Sequence, residues 1–559
     1  MKLANLTVKN YRKISDIESN IKIDNIVILI GQNNAGKSTI LDAYEAFASM
    51  GKELDITHFH NESDSLPIEI MGTFNQITPK DIETISQKWC YEDPELGTCI
   101  KVRLVWNKAG EKGKKQSYDP IIKNFVDGGV GGWDTLIKSR IPQPLRIKPN
   151  ESNETTQNKI AAMLKEHVKT QLKKDGSATK NALDQIEELG KTLFNSAKDD
   201  FDKLTAKVSS QVSEIFPGSL IEIVPKSKDT LDEKFICSET YLKVSCEGGS
   251  NSPLCLQGTG LQRALLWSTL SAISETPVKG KTNSEAKILL IDEPEAFLHP
   301  PTIRNAREAL YNFALNSPDW QVIATTHSPI FIDLSKSHTT IVRVDSNTPE
   351  ERYVSTDKVS FDEPEKQRLQ MIRACNPIVN EFFFYDKIVL VEGETEQVIV
   401  NHIASMLGMD IHVINCFGKA NIPLFARVLN HFKLPYIIIH DSDTPKSKRK
   451  TGFAKNGMWT INEKIRETAG LSPESKIYVQ IPNFEGLFFE KSLSSGKVDN
   501  AILALLDDSS DEAKFIIETY KGFLTGEERF SYKEKEGFDE LIISYITEKS
   551  LENSDFWQL

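Results

Sequence analysis

The sequence lacks any paired cysteine motif. Its seven cysteines stand at scattered positions without a Cys-x-x-Cys pair, at Cys90, Cys99, Cys237, Cys246, Cys255, Cys375 and Cys416. This spacing argues against a zinc finger and against a disulfide framework. A reducing cytoplasm is therefore the expected location.

Long apolar runs are also missing, because no stretch approaches the roughly 20 residues that a membrane span needs. The first nine residues lack the apolar core and cleavage site of a secretory signal. The net charge of −12 does not indicate nucleic-acid binding, so such binding would depend on local patches. One such patch is the basic run Lys446–Lys450. At 559 residues, two to four domains are expected.

A glycine-rich loop joins a buried apolar strand, Ile26–Ile30, to a helical pattern. The loop matches G-x-x-x-x-G-K-[ST], in which backbone N–H groups and a helix N-terminus cradle phosphate. Lys37 would bridge the β- and γ-phosphates, and Ser38 would bind Mg²⁺. We predict that the nucleotide is contacted by Gly31, Asn34, Gly36, Lys37, Ser38 and Thr39.

A second apolar strand, Ile288–Ile291, leads directly into Asp292 and Glu293. Asp292 is predicted to complete the Mg²⁺ shell, and Glu293 is placed to polarise the attacking water. The later strand Val322–Ala324 ends near His327, which is predicted to sense the γ-phosphate. These three positions follow the order of a nucleotide-hydrolysing site.

The turn Leu256–Arg263 opens a helix about 30 residues before Asp292. It resembles the signature motif of ABC-type ATPases, in the branch of SMC and RecF proteins. The resemblance implies that Arg12 lies near the nucleotide and that the signature of one protomer completes the partner's ATP site. A homodimer or higher homo-oligomer follows. The implied signature residues are Gly258, Gly260 and Gln262. The turn departs from the usual Ser-Gly-Gly motif, with Gln257 and Thr259 in its place.

Apolar residues recur at helical spacing between Ile160 and about Ile215, with an interruption at Asp175–Ser177. Two such helices predict an antiparallel arm, of dimerising type, inserted into the ATPase domain. The alternative is two ordinary surface helices. The predicted domains, in chain order, begin with the first part of the ATPase domain (1–155), the inserted arm (156–216) and the second part of the ATPase domain (217–375). A second α/β domain with a C-terminal helical extension follows (384–559).

The second α/β domain has carboxylates where its strands end. Glu392 follows the strand Lys387–Val391, with Gly393 expected to allow close approach, and Glu396 lies one helical turn further on. Asp441 and Asp443 follow the strand Tyr436–Ile439. On an extended segment both aspartates would face one pocket. Oxygen-only ligands suit Mg²⁺ or Mn²⁺, and two such ions can activate water against a phosphodiester.

This pattern resembles a TOPRIM domain, and its fusion to an SMC-like ATPase resembles the OLD (overcoming lysogenization defect) family of nucleases, which includes the Gabija anti-phage nuclease subunit. The resemblance implies that Glu392, Glu396, Asp441 and Asp443 bind metal and that Glu485 contributes to catalysis. It also implies a basic residue that neutralises transition-state charge. Three lysines are candidates for that residue, namely Lys521, Lys533 and Lys535.

The resulting hypothesis is an ATP-regulated, Mg²⁺- or Mn²⁺-dependent DNA endonuclease or nickase in phage defence. Its expected partners are DNA, further copies of the chain and a neighbouring-gene protein such as a helicase, but no membrane. The main alternative is a RecF-like DNA clamp or signalling scaffold without nuclease activity. A topoisomerase or a primase fits less well, because little chain remains for a DNA-gate domain and no zinc module is present.

Overall fold

The computed structural model describes residues 1–128, 140–149, 202–214, 219–225, 240–246, 252–275, 287–333, 339–345, 353–355, 379–450, 452–489 and 510–558, with a few isolated positions between these ranges. The chain forms two compact units, Met1–Ser355 and Thr356–Leu559. Both units combine strands and helices, as the predicted α/β class requires.

A mostly parallel sheet forms the centre of the first unit. Its order is β16-β15-β3-β14-β13-β9, and only β16 is antiparallel to its neighbour. All five residues of β3 are buried, as expected for a central parallel strand. The strands are β3 (Ile26–Ile30), β9 (Gln143–Ile147), β13 (Lys287–Asp292), β14 (Trp320–Thr325), β15 (Thr339–Val344) and β16 (Tyr353–Ser355).

An antiparallel sheet has the order β2-β1-β4-β6-β7-β8, and β5 pairs with β6. Helix α1 (Lys37–Ala48) contributes Ile40, Leu41 and Phe47 to a core shared with both sheets. The strands are β1 (Lys2–Lys9), β2 (Ser19–Lys22), β4 (Ile68–Asn75), β5 (Tyr91–Asp93), β6 (Gly97–Trp106), β7 (Lys114–Asp119) and β8 (Asn124–Asp127), and the short helix α2 is Pro79–Ile85.

The remaining parts of the first unit include a three-stranded sheet of β10 (Ser219–Pro225), β11 (Thr240–Cys246) and β12 (Ser252–Pro253). Helices α3 (Thr259–Glu275) and α4 (Pro300–Asn316) flank the Asp292 strand in the sequence. Residues 202–214 are helical, as predicted for the arm. The rest of the predicted arm falls largely outside the described residues, so its antiparallel geometry stays a prediction.

The second unit contains a five-stranded sheet of order β18-β17-β19-β22-β23, in which the first four strands are parallel. These strands are β17 (Ile388–Val391), β18 (His412–Asn415), β19 (Tyr436–Asp441), β22 (Lys476–Gln480) and β23 (Ser531–Tyr532). A separate hairpin joins β20 (Lys446–Arg449) to β21 (Gly452–Lys455). The two strands predicted in this domain, Lys387–Val391 and Tyr436–Ile439, are therefore both present as β17 and β19.

Six helices lie among the described residues of the second unit: α5 (Glu394–Met406), α6 (Ile422–His431), α7 (Ile461–Ala469), α8 (Phe484–Phe488), α9 (Asp511–Thr525) and α10 (Lys535–Glu548). Helix α9 begins at the Ser510 cap, whose side chain accepts from the Ala513 N–H, and ends at Gly526 in the left-handed conformation. Its residues Ile516, Tyr520 and Phe523 pack in one core with Val389 and Val391 of β17.

No helix among the described residues is both long and apolar enough to cross a membrane.

Candidate active sites

The first candidate site lies at the carboxyl edge of the parallel sheet in the first unit. Strands β3, β14 and β13 are neighbours, so their carboxyl ends meet at one edge. The glycine loop follows β3, Asp292 ends β13, and Thr325 ends β14 directly opposite Asp292. Sheet topology therefore brings together segments that are far apart in the sequence, at the position where α/β proteins bind ligands.

The glycine loop has the backbone conformation of a phosphate-binding nest. Asn34 and Gly36 have positive φ, and helix α1 begins at the next residue. Gly31 has φ of 139°, and a Cβ there would lie 2.3 Å from the Val344 carbonyl oxygen. Only glycine is therefore compatible with this close approach. Ser38 is exposed at the helix start, whereas Thr39 is buried.

Lys37 is the buried cation of this loop. Its Nζ donates to the carbonyls of Gly31 at 2.9 Å and Gln32 at 2.8 Å. Burial lowers its pKa to about 8, and the nearby carboxylates Glu293, Glu295 and Asp292 oppose that shift. The ammonium thus faces an acidic edge and lies beside the loop that would hold a phosphate chain.

Asp292 is held by two neighbours. The Thr325 hydroxyl donates to its Oδ1 at 3.0 Å, and the Arg146 guanidinium forms an ion pair with its Oδ2. Arg146 also contacts Asp42 of α1 at 3.3 Å, and Arg12 pairs with the same Asp42. Arg12 is therefore linked to Asp292 through Asp42 and Arg146. Arg146 is not among the site residues predicted from the sequence, and strand β9 places it in this site.

Glu293 and His327 lie next to each other beyond the two strands. Glu293 has φ of 47°, and its N–H donates to the Thr325 carbonyl at 3.0 Å. His327 Nε2 lies 3.8 Å from Glu293 Oε1. Burial, and secondarily the charge of Lys37, lowers the pKa of His327 to about 4, so the ring is neutral near pH 7. A neutral ring can donate one hydrogen bond to an anion without adding charge.

Glu295 positions the segment that carries His327. Its Oε1 accepts from the N–H of His327 at 2.7 Å and of Ser328 at 3.1 Å. Burial raises the pKa of Glu295. The sequence interpretation missed this residue, although its position two residues after Glu293 was a usable signal.

The signature turn has an exposed tip and a buried base. Gly258 is exposed and Gly260 is half-buried. Gln262 is buried, and its Nε2 donates to the Gln257 carbonyl at 2.9 Å within the turn. Arg263 donates to the carbonyls of Lys148 at 2.9 Å and Glu293 at 3.3 Å. The start of α3 is therefore attached to the segment that carries Glu293.

The second candidate site lies at the carboxyl edge of the sheet in the second unit. Glu392 follows β17, Asp441 ends β19, and Glu485 lies in α8 beyond β22. The Asp441 N–H donates to Glu392 Oε1 at 2.8 Å, and the Phe484 N–H donates to Asp441 Oδ1 at 3.1 Å. Glu396 and Glu485 are both buried. The adjacent parallel strands β17 and β19 thus bring Glu392 and Asp441 together at one edge of the sheet.

Lys419 lies among these acidic groups. Its Nζ donates to the Asp441 carbonyl oxygen and forms an ion pair with Asp443 Oδ2 at 2.7 Å. The residue is only 2% exposed. A buried ammonium is costly unless it is paired, so the carboxylates stabilise it and it in turn reduces their mutual repulsion. Sequence reasoning missed Lys419, whose only signal was its place after Gly418 beyond β18.

The pKa values reflect crowding of negative charge. Burial raises the pKa of Glu392 to about 7, although Lys419 opposes the shift. Burial and the charges of Glu392 and Glu396 raise the pKa of Asp441 as well. Tyr520, whose hydroxyl accepts from Gln480 at 2.6 Å, has a pKa raised by burial and by the charges of Glu396, Asp441 and Glu485. Such groups favour a nearby cation.

The donor set suits hard divalent ions in its chemistry, because its side chains offer carboxylate oxygens. In the part of the chain that the structure describes, no three histidine, cysteine, aspartate or glutamate side chains are arranged together as metal ligands. The Lys419 ammonium contacts the Asp441 carbonyl and the Asp443 carboxylate, so it occupies space that a metal ion between these residues would need. Binding a metal between these two residues would require the Lys419 side chain to shift.

Two details of the sequence interpretation were wrong. Asp443 has φ of 58°, so the segment after β19 turns and strand alternation does not orient the two aspartates. The contacts of Lys419 with the Asp441 carbonyl and the Asp443 carboxylate connect them instead. Gly393 has extended backbone, and a Cβ there would lie 3.6 Å from Glu396 Oε2, an ordinary contact. Neither crowding nor backbone conformation therefore requires glycine at this position.

The three candidate lysines in the C-terminal region have no direct link to the carboxylates. Lys533 and Lys535 are exposed and Lys521 is half-buried. No hydrogen bond or ion pair within the described residues joins any of them to Glu392, Glu396, Asp441 or Asp443, so the choice among them stays open.

The geometry defines a P-loop nucleotide-binding unit and an α/β unit with an acidic edge. Residues 1–127 and 131–332 match the family described as "AAA ATPase domain", and residues 383–443 match "Overcoming lysogenization defect protein-like, TOPRIM domain". The chain belongs to the AAA ATPase domain family and carries an OLD-like TOPRIM domain. These domains imply use of a nucleotide and of a divalent metal, and they confirm the family prediction.

The chain is homologous to curated nucleases over most of its length. It is 25% identical over 481 residues to the Old nuclease of Escherichia phage P2, covering 79% of this chain and 77% of that protein. It is 22% identical over 502 residues to endonuclease GajA of Bacillus cereus (strain VD045), covering 81% and 77%. A solved Smc head bound to the C-winged helix domain of ScpA matches 64% of this chain and 98% of that chain, at 14% identity and TM-score 0.40.

Proposed function

We propose that this protein is an ATP-regulated, divalent-metal-dependent DNA endonuclease or nickase of the OLD type. The supporting observation is the acidic edge of the second unit, where the Asp441 N–H donates to Glu392 and the buried ammonium of Lys419 contacts the Asp441 carbonyl and the Asp443 carboxylate. The nuclease names of the two homologues support the same activity. The DNA substrate and the role in phage defence rest on the resemblance to the OLD family.

Mg²⁺ or Mn²⁺ at this edge would supply a water of lowered pKa and a positive charge for the leaving oxygen. Glu392, Glu396, Asp441 and Asp443 would hold it. Glu485 is buried near the same edge and would orient a ligand or a water. The Asp441 N–H donates to the Glu392 carboxylate and the Phe484 N–H donates to the Asp441 carboxylate, and these hydrogen bonds orient both carboxylates before metal binds.

The direct test is incubation of the purified protein with supercoiled plasmid and MgCl₂ or MnCl₂, with and without ATP. Metal-dependent nicking or linearisation supports the nuclease. An intact plasmid under every condition, with ATP still hydrolysed, would favour the clamp or scaffold.

ATP would act on the first unit, with Lys37 and Ser38 at the phosphates and Asp292 at Mg²⁺. We infer that nucleotide binding regulates cleavage and does not perform it. The acidic edge of the second unit contains its own carboxylates and needs no residue of the glycine loop for metal binding. Regulation and cutting are therefore separable by mutation.

Lys37→Ala should abolish the response of plasmid cleavage to ATP while leaving nucleotide-free cleavage within about twofold of wild type. The buried ammonium beside the loop carbonyls is lost, and with it the phosphate contact. Agarose-gel rates at several ATP concentrations measure this. Lys52→Ala removes an exposed lysine of the same unit and is the control. An unchanged ATP response in Lys37→Ala contradicts the assignment.

Lys419→Met should lower the stability of the metal-free protein by about 2–3 kcal/mol, because it leaves the half-buried Asp443 carboxylate and the Asp441 carbonyl without their cation. The partial exposure of Asp443 keeps the effect below the roughly 3–5 kcal/mol that breaking a fully buried pair costs. Thermal unfolding in EDTA and in MnCl₂ measures it, with a larger metal-induced rise in Tm expected for the variant. Lys387→Met, at an exposed lysine, is the control. Equal metal-induced rises in wild type and variant would refute a shared cation position.

We also propose that the ATP-bound form is at least a homodimer. Leu256 is 76% exposed and Gly258 is also exposed, so the tip of the signature turn is accessible to a second protomer. A partner's phosphate-bearing surface would cover this tip in ABC-type assemblies, as the signature resemblance implies.

A further inference from the structure

A cavity of about 760 Å³ lies in the second unit, beside the acidic edge. Its volume falls within the roughly 300–1,000 Å³ range of ligand sites. Three aromatic residues, Trp459, Tyr532 and Phe538, and three lysines, Lys446, Lys455 and Lys535, contribute to its wall. Aromatic surface combined with cationic side chains is the composition that binds nucleic-acid strands.

The cavity begins two residues beyond Asp443. Pro445 and Lys446 form part of its wall, and Asn462 connects the wall to the acidic loop because its Nδ2 donates to the Ser442 carbonyl at 2.8 Å. A chain bound in the cavity would therefore continue toward the carboxylates over a short distance.

Asn462 also carries an unused acceptor. The residue is 5% exposed, and its Oδ1 is buried without a hydrogen-bond partner in the described part of the protein. An orphan buried amide oxygen is costly, and a donor from a bound molecule would satisfy it. Exocyclic amine and imino N–H groups of nucleobases are donors of the required kind.

The charge of the wall is mixed but positive. Arg466 is paired with Glu463 at 2.7 Å, so these two side chains compensate each other. Lys446, Lys455 and Lys535 outnumber the remaining wall carboxylate, Asp539. Lys455 and Lys535 are exposed. These lysines are available to a phosphate at the mouth of the cavity.

Tyr532 connects the cavity wall to the acidic edge through His440. The Tyr532 hydroxyl is hydrogen-bonded to His440 Nε2 at 2.8 Å, and His440 Nδ1 to the Asp441 carbonyl at 2.9 Å. Because a carbonyl only accepts, Nδ1 carries the proton and Nε2 accepts from the tyrosine. A ligand against Tyr532 thus lies one buried side chain from Asp441.

We propose that this cavity holds one unpaired nucleotide of the nucleic-acid strand that is cut at the acidic edge. The base stacks on Trp459 and donates to Asn462, while the phosphate is bound by Lys455 and Lys535. Trp459 is half-buried, and its ring packs 5.6 Å from Phe538, which fixes its orientation. This inference rests on the proposed nuclease function and adds the requirement for an unpaired nucleotide beside the cut.

The test is fluorescence anisotropy of the full-length protein with a 3′-fluorescein-labelled, 5′-phosphorylated dT12 in EDTA, where no metal-dependent cutting occurs. Trp459→Ala should weaken binding about tenfold, and Trp459→Phe should restore most of it, because stacking on an aromatic ring contributes about 1–3 kcal/mol per base. The double variant Lys455→Gln/Lys535→Gln should reduce the slope of log Kd against log salt concentration by about 0.7, the contribution of the one phosphate that the two lysines bind.

The matched control is Lys448→Gln/Lys450→Gln. It removes two lysines from the same hairpin region, and neither residue contributes to the cavity wall. Equal losses of affinity in the two double variants would mean that a general basic surface binds the strand, which overturns the inference. Binding of a 12-base-pair duplex as strongly as dT12, or equal competition by thymidine 5′-monophosphate at the same nucleotide concentration, overturns it too.

A second measurement uses the wild-type protein and therefore does not depend on whether any variant folds. Ultraviolet crosslinking of dT12 carrying one 5-iodouracil, followed by peptide mapping, should label the peptide that contains Trp459 or the one that contains Tyr532. Crosslinks confined to other peptides would refute the site. Neither assay requires cleavage. If the cavity variants bind dT12 like wild type while plasmid cutting is intact, only this inference is refuted. If the cavity variants lose dT12 affinity but the wild-type protein cuts no plasmid, only the nuclease proposal is refuted.

Discussion

Replacing Glu392 with glutamine is expected to lower metal-dependent plasmid cleavage by about 100-fold or more. Glu392 lies at the end of β17, and its Oε1 accepts from the Asp441 N–H at 2.8 Å. Glutamine keeps an acceptor oxygen for that N–H, so the loop geometry is retained. What is lost is one negative charge among buried carboxylates, and charge stabilisation by a bound metal is worth several kcal/mol.

The measurement is the initial rate of supercoiled plasmid loss across a MgCl₂ or MnCl₂ titration, with metal binding followed by calorimetry. Glu394→Gln is the matched control, because Glu394 is an exposed carboxylate only two residues away in the first turn of α5. Asp443→Asn should behave like Glu392→Gln. Wild-type rates in Glu392→Gln, with unchanged metal affinity, would remove the acidic edge from the reaction.

The sequence could predict which residues of both sites lie at the carboxyl ends of parallel strands. Runs such as Ile26–Ile30 and Ile288–Ile291 are apolar on both faces, which indicates central parallel strands. Parallel neighbours place their carboxyl ends at one edge, so Asp292 and Glu392 could be assigned to ligand-binding edges from local patterns alone. The structure agrees for every strand used in those assignments.

Contacts between distant segments could not be predicted in this way. Arg146 reaches Asp292 only because β9 pairs with β13, a partnership between residues more than 140 positions apart. Lys419 enters the acidic edge through the loop after β18, and a lone buried lysine has no periodic signature. The prediction for Asp443 was wrong for a related reason. Its left-handed backbone is stabilised by the hydrogen bond from its N–H to the Pro482 carbonyl at 2.7 Å, a contact with a distant segment.

The largest effect expected in the first unit is that of Glu293→Gln on ATP hydrolysis. We expect the turnover rate to fall about 100- to 10,000-fold, the contribution of a general base. Glu293 lies beyond β13, 42% of its side chain is exposed, and neutral His327 is 3.8 Å away. A glutamine there keeps the shape of the side chain but cannot accept a proton from water. ATP binding should persist, because the glycine loop and Lys37 are untouched.

Glu295→Gln is the informative comparison, since both glutamates lie in the same segment and both changes are isosteric. The Oε1 of Glu295 already accepts from the N–H groups of His327 and Ser328, and a glutamine oxygen can do the same. Its hydrolysis rate should therefore fall less than tenfold. Phosphate release measures the rates.

The same variants test dimerisation, with light scattering in the presence of ATP as the measurement of mass. If the signature tip closes on a partner's nucleotide, Glu293→Gln should remain dimeric in ATP, whereas Lys37→Ala should not. Rapid hydrolysis by Glu293→Gln, with Glu295→Gln inactive, would transfer the role of base to Glu295.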